Sequence, residues 1–138
     1  MNETLVVLGS DWYWEQDALH RFTLIRSPVQ PPRQHSPMAI GKARWELEGA
    51  QALTMTWEEH RALLSARRSF RDFQYMHCAV NDERRYLSAS GEPMFDADGR
   101  FRGYRGTTRD VTDEWAQRAL LEQADTLLGV GAVLGRVG

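Results

Sequence analysis

Three consecutive segments in the second half of the sequence alternate in side-chain character with a period of two residues: 70–80, 85–95 and 101–108. This is the period of a β-strand, whose successive side chains point to opposite faces of a sheet. Short polar links at 81–84 and 96–99 join the segments, and Gly99 suits the positive φ angle of a tight turn. The pattern predicts an antiparallel meander of three strands.

The first half of the sequence begins with a shorter version of the same pattern. Within 11–17 the two tryptophans fall on one face, and 21–26 is rich in β-forming residues after a short polar link. We expect these two segments to pair as a hairpin. Four prolines within 27–37 remove amide donors and predict a loop after it.

The strongest helical signal lies at 57–67. Thr56 and Glu59 form a capping-box pattern directly before apolar residues at helical spacing. A short helical piece is expected around 40–47. A last helix is expected over 113–128.

Composition and charge limit what the chain can be. Its 138 residues suit one domain and are too few for a sensor plus a catalytic unit, and 42% hydrophobic with 26% charged residues is typical of a folded globular protein. The net charge of -2 offers no general attraction to phosphate, so no nucleic-acid partner is expected. The lone Cys78, the missing secretory leader within 1–9 and the lack of a long apolar run predict a cytoplasmic location without direct membrane contact.

A series of short motifs resembles, in order, those of a subset of bacterial PAS domains. They are Asp-Trp-Tyr-Trp-Glu-Gln-Asp at 11–17, Gly-Lys-Ala-Arg-Trp-Glu-Leu at 41–47, Phe-Arg-Asp-Phe-Gln-Tyr at 70–75, Ser-Gly-Glu-Pro and Gly-Tyr-Arg-Gly within 88–106, and Arg-Asp-Val-Thr at 109–112. The last is similar to the Asp-Ile-Thr motif that joins PAS sheets to signalling helices. The resemblance covers the chain from Ser10 to about Glu122.

The resemblance implies an α+β fold: a five-stranded antiparallel sheet of order 2-1-5-4-3, with helices on one face and a C-terminal signalling helix. It divides the chain into an N-terminal extension (1–9), a PAS domain (10–112) and a signalling helix with linker (113–138). PAS domains of this subset commonly stand upstream of diguanylate cyclase or histidine kinase units. The implied function is that of a sensory module in bacterial signal transduction, for example in a two-component system. The resemblance implies that the module itself is not an enzyme.

Two residues resemble cofactor ligands, and we expect neither to act as one. His60 lies in the helix where some PAS domains place a haem-ligating histidine, but we interpret it as a half-exposed packing residue. Cys78 lies on a strand, whereas the photoactive cysteine of flavin-binding relatives lies in a helical region within an Asn-Cys-Arg motif. His20, His35 and His77 lack the spacing of metal ligands. We therefore expect no haem, flavin or metal.

A small-ligand pocket is a separate hypothesis. Small side chains on the meander leave space that a packed helix or a small, partly apolar ligand must fill. The residues expected around that space are Trp14, Phe22, Trp57, Leu63, Phe73, Tyr75, Leu87, Ala89, Tyr104, Gly106 and Thr108.

The last helix offers the route of signal output. Asp110 and Thr112 are expected to cap it and to couple it to the sheet. An alternative is an unliganded dimerisation module, in which this helix and residues 2–8 pack against a second copy. In both cases we expect a homodimer, since Leu120, Ala124 and Leu127 form apolar surface. A third interpretation, a cone-shaped α+β enzyme of the ketosteroid isomerase kind, needs an acid/base set that the sequence does not supply.

Overall fold

The computed structural model describes residues 11–26, 39–78 and 84–137, with side chains described up to Asp125. The predictions made for 1–9, for the proline-rich loop and for the apolar residues of 2–8 lie outside the described residues. The elements in chain order are β1 (Trp12–Gln16), β2 (Phe22–Arg26), a 3-10 turn (Arg44–Glu46), β3 (Gln51–Ala52), α1 (Trp57–Ser65), β4 (Phe70–Cys78), β5 (Arg84–Phe95), β6 (Phe101–Asp110) and α2 (Thr112–Val137).

The described strands form one antiparallel sheet in the order β2-β1-β6-β5-β4-β3. The α+β class and the predicted order of the five longer strands are confirmed. The sheet has six strands and not five, because Gln51–Ala52 adds a short edge strand beside β4. Two residues are too few to produce a periodic pattern, so β3 could not be predicted from the sequence.

The meander of β4, β5 and β6 provides the longest pairings of the sheet. Ala89 of β5 lies opposite Thr108 of β6, and Gly91 lies opposite Gly106. Residues directly opposite each other in an antiparallel pair project to the same face. Ala89, Gly91, Gly106 and Thr108 therefore lie on the face that carries the core.

Two aspartates fix the described turns of the sheet. The Asp17 carboxylate accepts hydrogen bonds from the amides of Leu19 and Arg21 between β1 and β2. Asp96 does the same for Asp98 and Arg100 between β5 and β6. Asp side chains favour such turns because they satisfy backbone donors locally.

Both described helices differ in extent from their predictions. The Thr56–Glu59 capping box is present, and α1 ends at Ser65. The segment predicted as helical around 40–47 contains only a 3-10 turn. No helix within the described part of the chain is both long and apolar enough to cross a bilayer.

Candidate functional site

Most residues predicted for the pocket lie in the hydrophobic core between the sheet and α1. Trp57 and Leu63 are only partly buried at the edge of this core, and Thr108 is buried on β6. The remaining predicted side chains are buried together: Trp14, Phe22, Phe73, Tyr75, Leu87, Ala89 and Tyr104. The structure therefore brings the predicted set to one side of the sheet.

The indole of Trp14 fills the notch above the small residues of the meander. A Cβ added at Gly106 would lie 2.4 Å from Trp14 Cζ2, and one added at Gly91 would lie 2.8 Å from Trp14 Cη2. Trp14 also stacks on Phe70 at a centroid separation of 6.3 Å. The space that the glycines leave is thus occupied by a side chain of the protein.

The side chain of Arg44 enters this core from the 3-10 turn. Backbone hydrogen bonds hold the preceding segment against β2, from Phe22 N to Lys42 O and from Gly41 N to Phe22 O. Arg44 is 0% exposed. Its guanidinium carbon lies 4.7–5.8 Å from the ring centroids of four aromatic residues, Trp14, Phe22, Phe70 and Tyr75. These four rings are called the aromatic cage below.

His60 of α1 is the polar neighbour of Arg44. It is also 0% exposed, so the expectation of a half-exposed histidine was wrong: the face of α1 that carries it packs onto β4. Its ring stacks on Phe73 at 4.2 Å, and its Nε2 lies 3.3 Å from Arg44 Nη1. Burial, with the nearby charge of Arg44, lowers the pKa of His60 to about 3. The neutral ring accepts from Arg44 through Nε2, which places the remaining proton on Nδ1.

Several buried polar atoms of this centre have no hydrogen-bond partner among the described residues. They are Nε and Nη2 of Arg44, Nδ1 of His60 and Nε1 of Trp14. The four salt bridges found in the described part of the chain join other residues: Arg21–Asp17, Arg85–Asp110, Arg105–Glu92 and Arg109–Glu114. Among the described residues, the buried guanidinium of Arg44 therefore has no carboxylate partner. Burying a charge without such a partner lowers the stability of the fold.

A small cavity lies beside the aromatic cage. Its volume is about 20 Å³, and Trp14, Phe22 and Tyr75 of the cage form part of its wall. The remaining lining residues are Trp12, Ile25, Ala39, Leu47, His77 and Thr108. A cavity needs roughly 10–15 Å³ by this measure to hold one water molecule, so the space suits a water or a very small ligand.

The predicted coupling residues lie where β6 passes into α2. Arg85 of β5 donates to Asp110 Oδ2 from Nε at 2.9 Å and from Nη2 at 2.6 Å, and Asp110 Oδ1 accepts from the Thr112 amide at 2.9 Å. The Thr112 hydroxyl accepts from the Tyr86 amide at 2.9 Å. Burial would raise the pKa of Asp110, but the hydrogen bonds from Thr112 and Arg85 outweigh it and lower the pKa. The two residues therefore fasten the start of α2 to β5.

Arg44 is the residue that sequence reasoning missed. Its only signal was its position in the Gly-Lys-Ala-Arg-Trp-Glu-Leu segment, which supported a resemblance without assigning the arginine a role. No group of three or more potential metal ligands occurs among the described residues.

Neither a family model nor a curated protein matches the chain, but solved structures do. An RNA-binding light-oxygen-voltage receptor is 13% identical with a TM-score of 0.66 over 88% of this chain and 35% of that one, so this chain spans about a third of its length. The Aureochrome1 blue-light photoreceptor domain is 12% identical, with a TM-score of 0.60 over 82% of this chain and 91% of that one.

A light-oxygen-voltage domain described with a flavin analogue gives a TM-score of 0.61 at 12% identity, over 84% of this chain and 88% of that one. Light-oxygen-voltage domains belong to the PAS superfamily. The chain therefore has the PAS fold, as the sequence motifs predicted, and at these identities the likeness is one of fold.

The described core does not fit a flavin or a haem. Its cavity of about 20 Å³ is far below the roughly 300–1,000 Å³ typical of pockets for larger ligands. Cys78 is at the end of β4, where its Sγ packs against Gly49, and His60 is enclosed by Phe73 and Arg44. That the protein carries neither cofactor stays a prediction.

Proposed function

We propose that this chain is a sensory or regulatory PAS module, which passes the state of its core through α2 to an effector outside the chain. The observation that carries the proposal is the way α2 leaves the sheet. Its first turn is fastened at Thr112 and Trp115, whereas every side chain from Ala116 to Asp125 is exposed. A helix whose described side chains contact the sheet only in its first turn is suited to transmitting a change to whatever follows it.

Strand β5 connects the core to this anchor. Leu87 and Ala89 of β5 are buried in the core, while Tyr86 of the same strand stacks on Trp115 at 5.2 Å and accepts the Val111 amide at 2.7 Å. Trp115 Nε1 also donates to Gln74 Oε1 of β4 at 2.9 Å. A shift of β5 would therefore reach α2 directly.

The test removes the side-chain links of the anchor. In Asp110→Ala/Thr112→Ala, we expect roughly tenfold faster amide hydrogen exchange after Arg109, because losing a helix cap costs about 0.5–2 kcal/mol and the link to Arg85 is lost as well. Exchange in β4, β5 and β6 should change little. Hydrogen exchange followed by mass spectrometry measures both.

Glu114→Ala is the matched control. It removes an exposed carboxylate from the same first turn, and its contact with Arg109 at 3.4 Å is weak. Exchange in this variant should resemble that of the wild type. If the double variant instead exchanges faster throughout the strands, Asp110 and Thr112 maintain the fold as a whole and do not specifically couple it to α2.

A second candidate function is an unliganded dimerisation module, and the surface of α2 favours it. Leu120 and Leu121 are 66% and 63% exposed.

We expect the wild type to be dimeric by light scattering. Leu120→Glu/Leu121→Glu should be monomeric over the same concentration series, because two charges would enter the apolar contact. Gln117→Glu/Gln123→Glu, which adds the same charge to exposed positions of α2, should stay dimeric. A wild-type monomer at high micromolar concentration would contradict this function.

The identity of the effector belongs to the same proposal. The motif resemblance supports a bacterial diguanylate cyclase or histidine kinase, and the single cysteine supports a cytoplasmic setting. We place catalysis in that effector and not in this chain.

A further inference from the structure

A cleft of about 400 Å³ lies between α1 and the 3-10 turn. Its wall is formed by Trp45 of the turn and by Trp57, Glu58 and Arg61 of α1. We propose that this cleft binds an aromatic α-amino acid, whose ring contacts the two indoles and whose charged groups pair with Glu58 and Arg61. The inference rests on the proposed function for its consequence, since the bound amino acid would be the signal that the module detects.

The cleft has room for such a ligand, unlike the cavity in the core. Its volume lies within the roughly 300–1,000 Å³ typical of small-molecule sites, whereas the cavity beside the aromatic cage measures about 20 Å³. Glu58 and Arg61 are exposed, while Trp45 and Trp57 are partly buried and pack against the core. The cleft is therefore open to solvent on one side and apolar at its base, so a ligand can reach it from water.

Contacts with other rings hold both indoles of the cleft in place. Trp57 packs edge-on against Phe73 at a centroid separation of 5.4 Å and against His60 at 6.1 Å. Trp45 packs edge-on against His20 at 6.3 Å. Aromatic rings attract one another in offset-stacked or edge-to-face arrangements at about 4.5–7 Å, beyond the effect of buried area. The two indoles therefore favour a ligand with an aromatic ring over one with an alkyl chain.

The cleft also carries one negative and one positive side chain, neither of which has an ion-pair partner among the described residues. Glu58 and Arg61 lie three positions apart on α1, close enough to pair, yet no salt bridge of the described residues includes either. The guanidinium carbon of Arg61 lies instead 4.6 Å from the ring centroid of Trp45, a contact that does not satisfy its N–H donors. An α-amino acid carries an ammonium and a carboxylate on one carbon atom, which complement Glu58 and Arg61 respectively. The charges therefore favour a zwitterion over an ion of either sign alone.

The experiment compares L-phenylalanine with analogues that each lack one of its features. Phenethylamine lacks the carboxylate, 3-phenylpropionate lacks the ammonium group and L-alanine lacks the ring. Each probe is titrated into the wild type at pH 7 and constant ionic strength, up to millimolar concentrations, and the indole Nε1–H signals are followed by NMR. L-phenylalanine should shift the signals of Trp45 and Trp57 more than those of the other tryptophans. Each analogue should bind about threefold more weakly, as expected for the loss of one exposed ion pair or one ring contact.

Two variants at exposed positions test which side chain binds which group. Glu58→Gln should weaken the binding of L-phenylalanine and phenethylamine about threefold, but not that of 3-phenylpropionate. Arg61→Gln should weaken the binding of L-phenylalanine and 3-phenylpropionate to a similar extent, but not that of phenethylamine. Glu48→Gln and Arg68→Gln are the matched controls: they remove exposed charges outside the cleft and should bind every probe as the wild type does.

The proposal is overturned if L-phenylalanine leaves the signals of Trp45 and Trp57 in place. It is also overturned if L-phenylalanine binds no better than its analogues, or if Glu58→Gln and Arg61→Gln affect all probes equally, because the cleft would then be a non-selective aromatic surface. Hydrogen exchange of α2 with and without L-phenylalanine separates this inference from the proposed function. Binding without any change in α2 supports the amino-acid site but contradicts its sensory role. A failure to bind leaves the results of the Asp110→Ala/Thr112→Ala experiment standing by themselves.

Discussion

Gly106→Ala should destabilise the fold by about 3 kcal/mol, the upper part of the range for overpacking a core. A Cβ at this position would lie 2.0 Å from the carbonyl oxygen of Ser90 and 2.4 Å from Trp14 Cζ2. The first contact is with the backbone of the neighbouring strand, so rotation of a side chain cannot relieve it. Urea unfolding at constant m-value measures the change in the free energy of unfolding.

Gly99→Ala is the control for the loss of a glycine as such. A Cβ at Gly99 meets no atom within 4 Å, but the φ angle of +79° disfavours other residues, which predicts a loss of only about 1 kcal/mol. If Gly106→Ala costs no more than this, β5 and β6 can separate at Gly106 and the notch is less tightly filled than described. The predicted ligand space above the glycines would then be open to occupation.

Much of the sheet could be predicted from the sequence because its signals are local. β4, β5 and β6 are nine, twelve and ten residues long, so a period of two can repeat several times within each segment, and Gly99 marks the turn between β5 and β6. The helix cap at Thr56 is likewise a contact between residues three positions apart. Periodicity and capping report such local preferences directly.

The polar centre of the core could not be predicted in this way. Arginine is ordinarily exposed, and the burial of Arg44 depends on four rings supplied by β1, β2 and β4. The sequence correctly placed His60 in a helix, but its complete burial depends on contacts with Phe73 and Arg44, which lie elsewhere in the chain. Contacts between residues far apart in the chain leave no periodic signal, so neither role was visible before the fold was known.

The protein should lose about 2 kcal/mol of stability between pH 7 and pH 5 through His60 alone. Burial and the charge of Arg44 lower the pKa of this residue from 6.5 to about 3 in the folded state. Between these two values the unfolded chain binds a proton that the folded chain excludes, so the free energy of unfolding falls as the pH falls. Above pH 7 His60 is neutral in both states and costs the fold almost no stability. The loss of stability then accumulates as the pH falls from 7 towards 3.

The comparison of the wild type with His60→Gln isolates this effect. Glutamine does not titrate, and its amide oxygen can accept the hydrogen bond from Arg44 Nη1 that His60 Nε2 accepts. The pKa values of His20 and His77 are also lowered, mainly by burial, but both residues are present in the two proteins and their contributions cancel in the difference. Urea unfolding at pH 7 and pH 5 should show a pH-dependent loss that is smaller in the variant by about 2 kcal/mol. An equal loss in both proteins would mean that His60 accepts a proton in the folded state near its ordinary pKa, and that the Arg44–His60 centre is open to water.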